Sequence, residues 1–199
     1  RLFLTATGIL LSLPFTFSQA IDKGDMFLGA GAGPAINTVG IVNYSLAPAF
    51  RLTCEKGIFV IEPGIVTIGA VVGLLHQSDA GVEYFKYTSA GTKVYSVTRN
   101  YISTVIGVRS GWYYNFAQLG IRELNAYAGA SIGVRAVWCY DTNSSGTKHE
   151  NYVPPSNAVY PHFSGFVGAL YHFNANFAVF AEVGYDISWS TAGIILKLN

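Results

Sequence analysis

Residues 124–139 alternate without a break. Leu124, Ala126, Ala128, Ala130, Ile132, Val134, Ala136 and Trp138 hold one parity; Asn125, Tyr127, Gly129, Ser131, Gly133, Arg135, Val137 and Cys139 hold the other. Successive side chains of a strand point to opposite faces, so a period of 2 kept this long specifies one strand with an apolar face and a mixed face. The run is about three times the common strand length of soluble sheets, ~5–6 residues. It suits a strand that crosses a bilayer obliquely, with ~9–11 residues in the lipid, and continues beyond it.

The same rule reads residues 101–114, where Ile102, Thr104, Ile106, Val108, Ser110, Trp112 and Tyr114 oppose Ser103, Gly107, Arg109 and Gly111. Further on, Phe177, Val179, Ala181, Val183 and Tyr185 oppose Phe180, Glu182, Gly184 and Asp186, and Ile194, Leu196 and Leu198 oppose Gly193, Ile195 and Lys197. A looser alternation covers 160–173. Upstream, 46–55 sets Arg51, Thr53 and Glu55 against Phe50, Leu52 and Cys54, 57–75 is almost all apolar apart from Glu62, and 25–36 is rich in Gly and Ala. The connections 55–57, 115–123 and 174–176 are short or modest, 37–45, 76–100 and 140–157 are long, and the tip at 186–188 is brief. Short turns on one side and mostly long loops on the other is how outer-membrane barrels are built. In hydrocarbon every backbone N–H and C=O needs an internal partner, so such strands close on themselves. The expected fold is all-β: an eight-stranded antiparallel up-and-down transmembrane β-barrel.

Composition agrees. Charged residues make up 12% of the chain, about half the ~25% of soluble domains. Lys+Arg 12 against Asp+Glu 11 leaves no basic field to hold nucleic acid. Arg1, the apolar run 2–17 and Ser18-Gln19-Ala20 read as a secretory signal peptide, residues 1–20, cleaved after Ala20. Residues 21–199 then form one outer-membrane barrel domain. Cys54 and Cys139 are too few for a disulfide scaffold and are expected at opposite ends of the barrel as free thiols. No spacing of ligands predicts a metal, and no motif predicts a cofactor: Gly29-Ala-Gly-Ala-Gly precedes no helix and lacks the Lys of a phosphate loop.

The facing of the sheet decides between a barrel in lipid and one in water. The parities that carry Arg109, Arg135, Glu62 and Glu182 are dominated by Gly, Ser and charge. An Arg turned toward lipid near the midplane costs ~2–4 kcal/mol, so these parities face inward and the apolar ones outward. Trp112, Tyr114, Phe173 and Phe177 near the short turns, with Trp138, Tyr140, Tyr160, Tyr185 and Trp189 near the loops, make two aromatic girdles.

The run Phe177-Ala-Val-Phe-Ala-Glu-Val-Gly-Tyr and the closing Ala192-Gly-Ile-Ile-Leu-Lys-Leu-Asn resemble the final hairpin of small outer-membrane β-barrel proteins, the outer-membrane protein A/X-like barrels of Gram-negative bacteria. Pro48-Ala-Phe-Arg-Leu-Thr-Cys-Glu-Lys-Gly resembles the family's second strand and first periplasmic turn. The resemblance implies a location in the cell outer membrane, with membrane lipid and lipopolysaccharide around the barrel.

Arg51 and Glu62 flank the Lys56-Gly57 turn about equally, which predicts cross-strand neighbours on one face. Arg51, Glu62, Arg109 and Glu182 are expected to form a charge belt in the lower lumen, with Arg135 higher. A barrel of eight strands is just wide enough for side chains to fill it, so the belt reads as a plug rather than a channel. His162-Phe163-Ser164 is similar to the His-x-Ser element of outer-membrane lipid A deacylases, and a Ser beside a His base suits acyl hydrolysis. Its parity points into the lumen, however, and no carboxylate stands out as an orienter, so no enzyme activity is expected. His149 and Glu150 read as solvated loop charges. Residues 79–98 alternate, turn at Ser89-Ala90-Gly91 and alternate again, predicting a protruding hairpin whose strand edges pair with a protein partner. The expected role is structural or adhesive, alone or as a subunit of a larger complex; the alternatives are a narrow conduit for small or hydrophobic molecules and a deacylase-like hydrolase.

Overall fold

A computed structural model describes residues 21–35, 44–88, 91–143 and 155–198. The predicted signal peptide and the loop that carries His149 and Glu150 lie outside these residues. Alternating segments become long strands: β1 (Met26–Gly33), β2 (Tyr44–Leu46), β3 (Ala49–Ile61), β4 (Gly64–Thr88), β5 (Gly91–Asn115), β6 (Leu124–Asn143), β7 (Ala158–His172), β8 (Phe177–Gly184) and β9 (Ser190–Leu198). Every neighbouring pair is antiparallel, and β1 pairs with both β3 and β9 while β4 pairs with β5, so eight of the described strands close into a ring. Closure gives each strand of the ring a partner on both sides, as a bilayer requires, although among the described residues β7 runs on past the end of its ladder with β8 at Phe166. The short β2 lies outside the ring's order and pairs with β4 above it, Tyr44 opposite Asp79 and Leu46 opposite Gln77.

The wall has the facing that the alternation implies. Leu52, Ile68, Ile106, Val108, Ile132, Val167 and Val183 are exposed on the outside, whereas Arg51, Glu55, Arg109, Ser131 and Glu182 are buried within. Trp112, Tyr114 and Phe116 stack edge to edge at one end, and Tyr171, Phe173 and Phe177 continue that girdle. Tyr185 packs against Trp189 at the other end.

Local chemistry makes the tight turns. Asn174 Oδ1 accepts from the backbone N–H groups of Asn176 and Phe177 at 2.9 and 2.8 Å, an Asx turn between β7 and β8. Between β5 and β6, Asn115 Oδ1 accepts from Ala117 N–H at 2.8 Å and caps a 3₁₀ turn that ends at Gly120, φ +82°.

The β3–β4 turn is not at 55–57, as the reading of Gly57 implied. It is at Glu62-Pro63, six residues further on, and Glu62 is exposed there rather than set in the lumen. Gly57 sits inside β3 next to a register shift between Gly57 and Phe59. Its glycine identity has another cause. The N-terminal segment lies against it, with Gly24 N–H donating to Gly57 O and Gly57 N–H to Asp25 O, each at 2.9 Å. A Cβ at Gly57 would lie 2.6 Å from the Asp22 carbonyl oxygen.

Two apolar clusters occupy the lumen. Ile21, Phe27, Ile65, Tyr113, Tyr127, Phe166, Leu170, Ala178 and Phe180 form the larger one. Ala49, Leu75, Val105 and Ile187 form the smaller, Ile187 entering from the β8–β9 connection.

Candidate functional site: the lumen and the protruding hairpin

Three strands deliver the charges of one network. Arg109 of β5 donates from Nε to Glu55 Oε1 of β3 at 2.8 Å and from Nη2 to Glu182 Oε2 of β8 at 2.5 Å. Arg51 of β3 donates from Nη1 to the other oxygen of Glu182. Thr67 Oγ1 donates to Glu55 Oε2 at 2.6 Å, Tyr113 OH reaches the same carboxylate, and Tyr127 OH donates to Glu182 Oε2 at 3.0 Å. The Arg109 guanidinium lies 3.4 Å from the centroid of the Phe166 ring. Two cations face two anions, and all four side chains are at most 5% exposed. Buried charges persist only when paired and hydrogen-bonded, and here each carboxylate accepts from three or more donors. The arrangement links β3, β5 and β8 across the lumen.

Of the expected belt, Arg51, Arg109 and Glu182 come together and Glu62 does not. Glu55 stands where Glu62 was expected, because moving the turn to Glu62-Pro63 carries Glu55 up into the wall on the parity of Arg51 and Thr53. The signal for it was present: Glu55 shares that parity, and Pro63-Gly64 is a stronger turn signal than Lys56-Gly57.

Arg135 of β6 also points inward, but into a different setting. Its Nη2 donates to the backbone oxygen of Asp186 at 2.9 Å. Nearby, His162 Nε2 of β7 and Asp186 Oδ1 lie 2.8 Å apart without the alignment of a hydrogen bond. Asp186 is therefore the carboxylate that the reading of His162 lacked. Ser164 nonetheless bonds to Ser131, Oγ to Oγ at 2.7 Å, so its hydroxyl is engaged on the β6 wall rather than by His162. Both cysteines are free thiols. Cys54 is not beside a turn as expected; it lies within β3, opposite Leu28 and Ala70.

Above the ring, β4 and β5 run on. Their pairing continues to Thr88 opposite Gly91, with an irregularity between Asp79 and Val82. β2 leaves β4 at Asp79, and β6 leaves β5 at the pair Val97–Asn143. Beyond these points the described residues of the two strands pair only with each other, over about 20 Å at ~3.3 Å per residue. At its root Arg99 makes a two-pronged contact with Asp141, Nε to Oδ1 at 2.8 Å and Nη2 to Oδ2 at 3.0 Å.

No family model matches the chain, and no curated protein does. Among solved structures it is similar to Ail, the attachment invasion locus protein of Yersinia pestis, with a TM-score of 0.43, 9% identity, and 88% of this chain and 96% of that chain covered. It is also similar to Ail in complex with the heparin analogue sucrose octasulfate, at a TM-score of 0.42 with the same identity and coverage.

Proposed function

We propose that this protein is a small integral outer-membrane barrel, not an enzyme, that acts at the cell surface through the β4–β5 ribbon. The apolar outer wall between two aromatic girdles suits the acyl chains of membrane lipid and lipopolysaccharide. The observation that carries the functional reading is the ribbon itself. Among the described residues it outruns its neighbours past Asp79 and Asn143, and strand edges of this kind are templates for main-chain pairing with another protein. Alternating side chains along the added strand would then supply specificity.

The Arg51–Glu182–Arg109–Glu55 network and the two apolar clusters, which occupy the lumen, support this over a conduit. Purified protein in planar bilayers is expected to give no stable large conductance. Deleting residues 80–96, which spares the pairs with β2 and β6, is expected to leave the barrel in the membrane and abolish surface attachment. Retention of every attachment phenotype by that variant would remove the reading. Ser164→Ala is expected to leave lipid A acylation in cells unchanged.

A further inference from the structure

Opposed positions of the ribbon carry the same residue. From root to tip the register sets Val82 against Val97, Tyr84 against Tyr95 and Lys86 against Lys93. Alternate positions of a strand share a face, so one face holds three like pairs in the order apolar, aromatic, cationic. The intervening pairs, Glu83 with Ser96, Phe85 with Val94 and Tyr87 with Thr92, are unlike. The irregularity between Asp79 and Val82 has its extra residue on β4, and β5 keeps one parity from Arg99 through Val97 and Tyr95 to Lys93.

Such a ribbon is weaker than the wall below it. Two strands alone are marginally stable in water, and a third strengthens them. Residues of like charge directly opposite each other weaken an antiparallel pair, and Lys86 with Lys93 is that case. An added strand with an acidic residue opposite Lys93 supplies both the third strand and the missing charge. Edge lysines meanwhile oppose pairing with a further copy of the same strand, so charge chooses between partners.

The barrel contains this arrangement one step lower on the same strand. β6 follows β5 as far as Asn143 opposite Val97, and on it Asp141 stands opposite Arg99. The Asp141 carboxylate meets the Arg99 guanidinium through both oxygens, at 2.8 and 3.0 Å. Among the described residues β6 pairs with β5 no further. A strand that continues its course runs antiparallel to β5, faces Tyr95 and then, two residues later, faces Lys93.

We propose that β5 above Val97 receives an extended segment of another protein, with an apolar residue facing Tyr95 and Asp or Glu facing Lys93. This choice of partner rests on the reading of the ribbon as the surface-interaction element.

The test uses cells that display the full barrel and beads coated with one of two peptides, TVTETT or TVTKTT; many copies on each surface make a weak pairing measurable. In both peptides valine faces Tyr95 when the fourth residue faces Lys93. Wild-type cells should adhere to the glutamate beads about fivefold more than to the lysine beads, the effect of an opposite-charge rather than a like-charge pair across strands. Lys93→Glu should reverse that preference, and it places an acid opposite Lys86, so the ribbon itself is not weakened. Lys86→Glu makes the same change of charge on the other strand and should keep the wild-type preference. Attraction to the face of the ribbon, or to its net charge, would move both variants alike. Equal adhesion of wild-type cells to the two beads, or the same response from both variants, would overturn the proposal. Attachment lost on deleting residues 80–96 but kept by Lys93→Glu would leave the ribbon reading standing and remove this one.

Discussion

Arg109 and Arg135 both point into the same lumen, and they sit in opposite circumstances. Arg109 is 3% exposed, is held by two carboxylates and covers the Phe166 ring. Arg135 is half-buried, donates to a backbone oxygen and, among the described residues, keeps its Nε unmatched. The difference follows from the wall around each. At the level of Arg109 the ring is continuous, so opposing strands bring Glu55 and Glu182 within reach. At the level of Arg135 the ring has lost β8, and the opposing carboxylate comes from a connection, Asp186, rather than a ladder. Among the described residues each level keeps one unmatched guanidinium nitrogen, Arg51 Nε in the one and Arg135 Nε in the other, so the contrast lies in the carboxylates that the opposing strands bring within reach.

This contrast is open to direct measurement by urea unfolding from lipid vesicles. The largest effect is expected for Arg109→Met, about 3–5 kcal/mol of lost stability, because it strands Glu55 and weakens the satisfaction of Glu182 in the interior. Adding Glu55→Gln to that variant should recover about 1–3 kcal/mol, a coupling that neutralises the stranded charge. Glu182 keeps Arg51 in that background. Arg135→Met should cost only about 1 kcal/mol, the value of an ordinary hydrogen bond; a loss equal to that of Arg109→Met would erase the distinction between the two levels. Deleting residues 80–96 is expected to change barrel stability least, within about 0.5 kcal/mol, since the ribbon contributes nothing to the ring.

The alternation of 101–114, 124–139 and 177–185 was enough to place β5, β6 and β8 and to say which way their charges face. It was also enough for the hairpin, because residues 79–98 repeat the same period outside the apolar band. Where period 2 disappears the reading slipped. Residues 57–75 are apolar on both parities, so nothing in them opposed taking Gly57 as a turn, and the error moved Glu55 out of the lumen and Glu62 into it. Gly57 is small for a contact with Asp22, a residue far from it in strand order, which no local pattern announces. The short β2 was not legible either, since Tyr44–Leu46 has too few residues to show a period. Nor was the open edge above Gly165: Pro161 hinted at an edge strand, but only the register of β7 against β8 reveals where the pairing stops.

Parity is a property of a single strand. The sequence alone determined it here, and with it the closed sheet, the greasy exterior and the inward ionised groups. Which of those groups meet was decided by the tertiary structure. The joining of Arg109 to Glu55 and Glu182, the pairing of His162 with Asp186 and the gap beside β7 all depend on stagger between strands and on where turns fall. These are set by closure of the whole ring, in which one displaced turn changes the partner of every charge above it.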